Sequence, residues 1–279
     1  MDIVFERRGK GPPLVLLHGI GHRWQAWEPV FDLLAQERDV IALDLPGFGA
    51  SPLPPPETTY DIDTAMGFLG EFFAELKLGR PHIAGNSLGG LFALEAADRE
   101  LVSSATALSP AGFFTPLELW YATTMLRASW LAAGVPAPVI RLLARDSFRR
   151  KLLFGHIYGR PDQLDIETLI ADAKALRASP GFMPMLRAGR NLTSFVGTCD
   201  KVPITIAWGT CDRLLRQGQA VQAQQRLPGA RFVWLTDCGH VPMGDNPELV
   251  AKVLLEGSSS PLIESDRPGG QGQVATTSA

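Results

Sequence analysis

Gly85-Asn86-Ser87-Leu88-Gly89 follows the short stretch Arg80-Pro81-His82-Ile83-Ala84 and runs into residues 88–99, where Leu88, Leu91, Phe92 and Leu94 recur at helical spacing. The pattern G-x-S-x-G at a strand-to-helix corner predicts a strained turn that presents the Ser87 hydroxyl outward. In so sharp a turn the positions two before and two after the serine press against neighbouring backbone. Their side chains must vanish, and Gly85 and Gly89 meet that demand. Alone the motif is weak evidence. Its meaning depends on what the rest of the chain supplies.

A serine hydroxyl is a poor nucleophile near neutral pH and needs a base, which in turn needs an acid to orient it. His240 stands in Cys238-Gly239-His240-Val241-Pro242, just beyond the β-rich residues 231–235. Asp212 stands in Gly209-Thr210-Cys211-Asp212-Arg213, after a predicted strand over 202–208. The order Ser87, Asp212, His240 is the serine-acid-histidine order of one architecture, with each group at the carboxyl end of a strand. Asp200, Asp237 and Asp245 are the competing carboxylates; the earlier strand end at Ser109-Pro110 offers none. Near the start, Leu14-Val15-Leu16-Leu17 reads as a buried parallel strand leading into His18-Gly19-Ile20-Gly21. The backbone amides of Ile20 and Leu88 are the expected oxyanion hole, with Gly21 as the alternative first donor. His18 reads as a structural ring that shapes this loop. His22 is left between pocket and surface, and His82 and His156 carry no signal.

These pieces together resemble the α/β-hydrolase superfamily, in its branch with an inserted helical cap. The resemblance rests on His18-Gly19, Asp44-x-Pro46-Gly47-Phe48-Gly49-x-Ser51, Gly85-x-Ser87-x-Gly89, Asp212 and Gly239-His240, and reaches to about Leu255. It implies an α/β fold: a mostly parallel twisted sheet flanked by helices, with a cap over the site. A serine at the elbow, where an aspartate would mark epoxide hydrolases or dehalogenases, implies a serine hydrolase. Relatives usually begin with an antiparallel hairpin. Here only Ile3 to Arg7 precedes the turn at residues 9–13, so the sheet is expected to start one strand short.

The expected organisation is a core over residues 1–111, a helical cap over 112–198, a second core part over 199–257 and a disordered tail over 258–279. Core strands are predicted at 40–43, 82–84, 104–108, 202–208 and 231–235, buried on both faces, with helices at 27–35 and 61–76. Six prolines between Pro116 and Pro184 divide the cap into four or five short helices. The cap carries eleven Lys and Arg against six Asp and Glu, while the whole chain has a net charge of −3. Arg141, Arg145, Arg149 and Arg150 read as a solvated outer face, with steering of an anionic substrate as the alternative. Phe113, Phe114, Trp120, Tyr121, Met125 and Trp130 are expected to pack the cap and line an apolar pocket.

With 279 residues and 46% apolar content the chain can bury a large core. Its charge gives no nucleic-acid footprint. No apolar run of membrane-spanning length exists, and the acidic start does not resemble a secretory signal. Three cysteines make no disulfide framework and suit a cytoplasmic setting. No histidine-carboxylate spacing calls for a metal, and Gly85 to Gly90 lacks the marks of a nucleotide loop, so no cofactor is expected. The expected partner is a small hydrophobic ester; oligomeric state is left open. The expected activity is carboxylic ester hydrolysis through an acyl-enzyme. Lactone hydrolysis, dienone carbon–carbon hydrolysis and cofactor-free peroxidation are the rivals within enzymes. Asn86 before the serine resembles the dienone hydrolases, but Val241 stands where a tryptophan often follows their histidine. A low-turnover ligand-binding protein that keeps the triad is the rival outside enzymes.

Overall fold

Alternation along the strands builds the molecule. The computed structural model describes residues 2–190 and 194–259. Seven strands, β1 (Phe5–Arg8), β2 (Pro13–Leu17), β3 (Asp39–Leu43), β4 (His82–Asn86), β5 (Ser104–Leu108), β6 (Ile204–Gly209) and β7 (Arg231–Leu235), form one sheet in the order β1-β3-β2-β4-β5-β6-β7. Only β1 runs antiparallel, paired with β3; every other pairing is parallel. The single strand before the first turn therefore becomes an antiparallel edge.

Successive residues of a strand face opposite ways. Val15, Leu17, Ile41, Leu43 and Ile83 enter one apolar core, while Leu14, Leu16, Val40, Ala42 and Ala84 enter another on the other face. Helices cover both. On the first face lie α2 (Ile62–Glu75), through Phe68 and Phe72, α3 (Leu88–Asp98), through Leu91 and Phe92, and α9 (Gln217–Arg226), through Ala220 and Ala223. On the second lie α1 (Glu28–Ala35), through Phe31 and Leu34, and α10 (Pro247–Gly257), through Val250 and Leu254. The central strands have no exposed face because neither side meets water, and the polar residues they carry, such as His82 and Thr106, are buried. β7 departs from the expectation of burial on both faces. It pairs only with β6, and Arg231 and Trp234 are exposed, as an edge strand allows.

Among the described residues, five helices lie between β5 and β6: α4 (Pro116–Ala132), α5 (Ala137–Leu143), α6 (Ser147–Phe154), α7 (Ile166–Ala178) and α8 (Phe182–Gly189). Their number matches the proline punctuation, but α4 is not short. Thr115 starts it with a capping box, accepting from the Glu118 amide while Glu118 reaches back to the Thr115 amide, and Pro116 occupies the first turn where no N–H is needed. The tail expected from residue 258 lies, from residue 260 on, outside the described residues. Ser258 and Ser259 are part of the packed body, held by the Arg38 guanidinium.

Candidate active site

The turn between β4 and α3 places Ser87 at φ +56° and ψ −114°, a conformation that L-residues rarely adopt. Close packing of backbone forces it. A Cβ on Gly85 would lie 2.0 Å from the Gly89 carbonyl oxygen, and one on Gly89 would lie 2.3 Å from the Leu17 carbonyl oxygen. Asn86 has a role that the motif does not announce. Its Nδ2 donates to the Leu108 carbonyl at 3.1 Å and to the His240 carbonyl at 2.8 Å, so the elbow is tied to the loop that carries the histidine.

His240 Nδ1 lies 2.9 Å from Asp212 Oδ2, and both side chains are buried. The other Asp212 oxygen accepts the amides of Leu214 (2.9 Å) and Leu215 (2.8 Å), which fixes the carboxylate without using the oxygen that faces the ring. Of the competing carboxylates, Asp237 is taken by Arg160. Asp245 accepts the amides of Gly159, Arg160 and Gly239, each at 2.8 Å. Burial raises its pKa, and those three amides oppose the rise. Asp245 thus binds cap backbone to the turn before His240. The Ile157 carbonyl strengthens the join by accepting the His240 amide at 2.7 Å.

One wall of the site is built where Ile20 follows β2 and where Leu88, next to Ser87, opens α3. Among the described residues neither amide has a backbone or side-chain acceptor, and the same is true of Gly21. The Leu88 amide has the helix dipole behind it, which favours negative charge at that end. His18 shapes this wall: Nδ1 lies 2.8 Å from the Gly19 carbonyl, and Nε2 accepts the Leu45 amide at 3.0 Å. Accepting at Nε2 requires a neutral ring, and burial pushes its pKa down to about 3. Beside it Asp44 organises the loop over residues 44–51, accepting the amides of Trp24 and Ala50. Gly49, at φ +55°, is required because a Cβ there would strike the Asp44 carboxylate.

Ser87 sits where two cavities meet. The larger, ≈190 Å³, reaches from Ser87 and His240 under the cap to Leu126, Ile140, Leu153 and Leu176. The smaller, ≈110 Å³, is lined by Phe92, Phe114, Leu119 and Met185; it shares Ile20, Ser87 and Leu126 with the first. The aromatic residues expected to line the pocket mostly do other work. Phe113 packs on Phe195, Trp130 stacks on Phe182, and Trp120 is 63% exposed. Aliphatic cap residues form the larger cavity instead, with a polar margin of His22, Ser129, His156, Tyr158 and Asp172. Ser129 Oγ lies 2.8 Å from His156 Nε2, and Tyr158 donates to Asp172 at 2.6 Å. Burial is the main cause of a lowered pKa at both His22 and His156. His22 therefore belongs to the pocket. His156, Ser129 and Asp172 had no signal in the sequence, because residues scattered over two cap helices and the turn after a third form no local pattern.

A buried serine at a strained turn, a histidine held by a carboxylate and open amides across a cavity are the elements that acyl transfer requires. Among the described residues no group of three or more His, Cys, Asp or Glu is placed to hold a metal ion. No helix among them is long and apolar enough to cross a membrane.

Residues 14–253 match the model of the alpha/beta hydrolase family, and the chain belongs to that family. It is 28% identical over 271 residues to a pimeloyl-[acyl-carrier protein] methyl ester esterase of Aeromonas hydrophila, an alignment covering 91% of this chain and 98% of the relative. Among solved structures it is similar to a bacterial membrane phospholipase A, described as a virulence factor (TM-score 0.73, 27% identity, 93% of this chain and 84% of that one). It also shares its fold with a thermophilic esterase from Thermogutta terrifontis (TM-score 0.69, 21% identity, 91% of this chain and 92% of that one).

Proposed function

We propose that this chain is a serine hydrolase that cleaves carboxylic esters of small to medium apolar substrates through an acyl-enzyme. The observation that carries this reading is Ser87 at the junction of two apolar cavities, the larger of which is also lined by His240, itself held by Asp212. Ser87 Oγ attacks the ester carbonyl while His240 takes its proton. Asp212 keeps the imidazole oriented and stabilises its cationic form. The Ile20 and Leu88 amides receive the negative charge that develops on the carbonyl oxygen. His240 then gives the proton to the departing alkoxide. A water molecule, deprotonated by the same ring, attacks the acyl-enzyme and releases the acid and free Ser87.

Two cavities that meet at one serine fit the two halves of an ester. The larger takes the longer apolar half, and the smaller takes the other. Its named relatives support ester cleavage, since two carry esterase in their names and the third is a phospholipase. A cytoplasmic setting is part of this proposal. The test is hydrolysis of a p-nitrophenyl ester series by the wild type and by Ser87→Ala. Turnover by the wild type with a chain-length optimum, lost in the variant, is the expected result; equal rates from both proteins would sink the assignment.

A further inference from the structure

Apolar side chains of the core are buried, but those of one part of the cap are not. Between Leu131 and Leu153 the structure exposes a run of large apolar residues, among them Val139, Leu142, Phe148 and Leu152. Phe148 is 76% and Leu152 74% exposed, values that an isolated surface residue reaches but that a run of neighbours seldom does. Residues 137–154, which hold α5, α6 and the link between them, carry Arg141, Arg145, Arg149, Arg150 and Lys151 against the single acid Asp146. Arg141, Arg145, Arg149 and Lys151 are exposed beside the apolar residues. Three of the four pair with acids, Arg141 with Glu167, Arg149 with Asp146 and Lys151 with the half-buried Asp162. Such pairs contribute little in water and leave the face net positive.

The patch is continuous with the site. Val135, Leu143 and Leu153 are exposed and at the same time line the larger cavity. An apolar chain can thus pass from the outer face of the cap toward Ser87 along apolar surface.

We propose that the outer face of α5 and α6 docks on the surface of an anionic phospholipid bilayer and that the larger cavity draws its substrate from there. Apolar side chains standing outward among arginines and a lysine are the pattern of a helix pair lying in a membrane interface. Cations gain from anionic headgroups, and Phe148 and Leu152 gain from the acyl boundary below them. A second copy of this chain would set one basic face against another. An acidic protein would satisfy the cations and leave Phe148 and Leu152 in a poor environment. The proposal rests on the esterase reading for the origin of the substrate, whereas the docking itself does not depend on turnover.

The test is co-sedimentation of the full chain with vesicles of phosphatidylcholine alone or mixed with phosphatidylglycerol, at low and high salt. Binding to the mixed vesicles, weakened by salt and roughly tenfold weaker on phosphatidylcholine alone, is the expected result. The double variant Phe148→Ser/Leu152→Ser, at positions outside both cavities, should weaken binding at least about tenfold and leave hydrolysis of soluble p-nitrophenyl butyrate unchanged. Failure to bind the mixed vesicles, or binding indifferent to the double variant, overturns the proposal. So does a dimer by light scattering that the double variant converts to monomer, since a second copy would then own the face. Because sedimentation needs no catalysis, vesicle binding by a protein that hydrolyses no ester would sink the esterase reading and leave the surface standing.

Discussion

The sheet and the cap obey different rules. In the sheet, backbone packing dictates residue type: Gly85 and Gly89 are forced by carbonyl oxygens, Gly49 by the Asp44 carboxylate, and alternate strand residues by two apolar cores. In the cap, helices meet through side chains alone, and many arrangements of apolar residues satisfy the same contacts. The sheet carries the reacting groups on loops with little freedom. The cap carries the walls that select what reaches them. Chemistry therefore has a narrow sequence requirement in this molecule and selectivity a broad one.

The sharpest way to break that division is Asp212→Asn. An asparagine oxygen still accepts the Leu214 and Leu215 amides, so the turn survives, but the ring of His240 loses its carboxylate. Hydrolysis should fall by about 10⁴ in kcat with the thermal midpoint nearly unchanged. A loss of under tenfold would mean that another group orients the ring.

Next in size is Asp245→Ala, which tests the seam between the two regions. Three amides, one buried and two part-buried, lose their acceptor, and the cost should be about 3 kcal/mol in urea unfolding. Activity should fall with it, because Gly239 precedes the histidine. Full stability in the variant would show that the cap does not depend on this carboxylate.

Acid separates the regions in a third way. His18 has its pKa pushed from 6.5 down to about 3 by burial, so the folded ring refuses a proton that the unfolded chain accepts. That stabilisation is complete above 6.5 and is lost as the pH falls from 6.5 toward 3, at about 1.4 kcal/mol per unit. His22, His82 and His156, all lowered chiefly by burial, act in the same direction. Urea midpoints compared between about pH 7 and about pH 5 should drop, and His18→Gln should flatten the dependence. An equally steep dependence in the variant would remove His18 from the account.

The smallest effect belongs to the cap. Leu126 lines both cavities, so Leu126→Ala should move the ester chain-length optimum upward while changing kcat/KM on short esters only about three- to tenfold. An unmoved optimum would place selection elsewhere.

How much was legible follows from the same contrast. Strands β5 and β7 fall where residue pattern alone puts them, and Asp212 and His240 meet across two strand ends. Each is fixed by local backbone demands that show in sequence. The face of α4 was not legible. Leu117, Trp120 and Leu131 point to solvent while Ala122, Leu126 and Ser129 turn inward, so apolar residues lie on both sides and periodicity has nothing to choose between. His156 and Asp172 join the cavity margin from segments sixteen residues apart in number but adjacent in space, which no spacing rule encodes. The exposed apolar run of α5 and α6 was visible as residues, yet only the fold shows that it faces outward.

The most direct test of the central claim, that the loops of the sheet assemble an activated Ser87, is the intact mass of the wild type and of Ser87→Ala after exposure to a fluorophosphonate. The account predicts one phosphonyl adduct on the wild type and none on the variant. An adduct on both, or on neither, would contradict it.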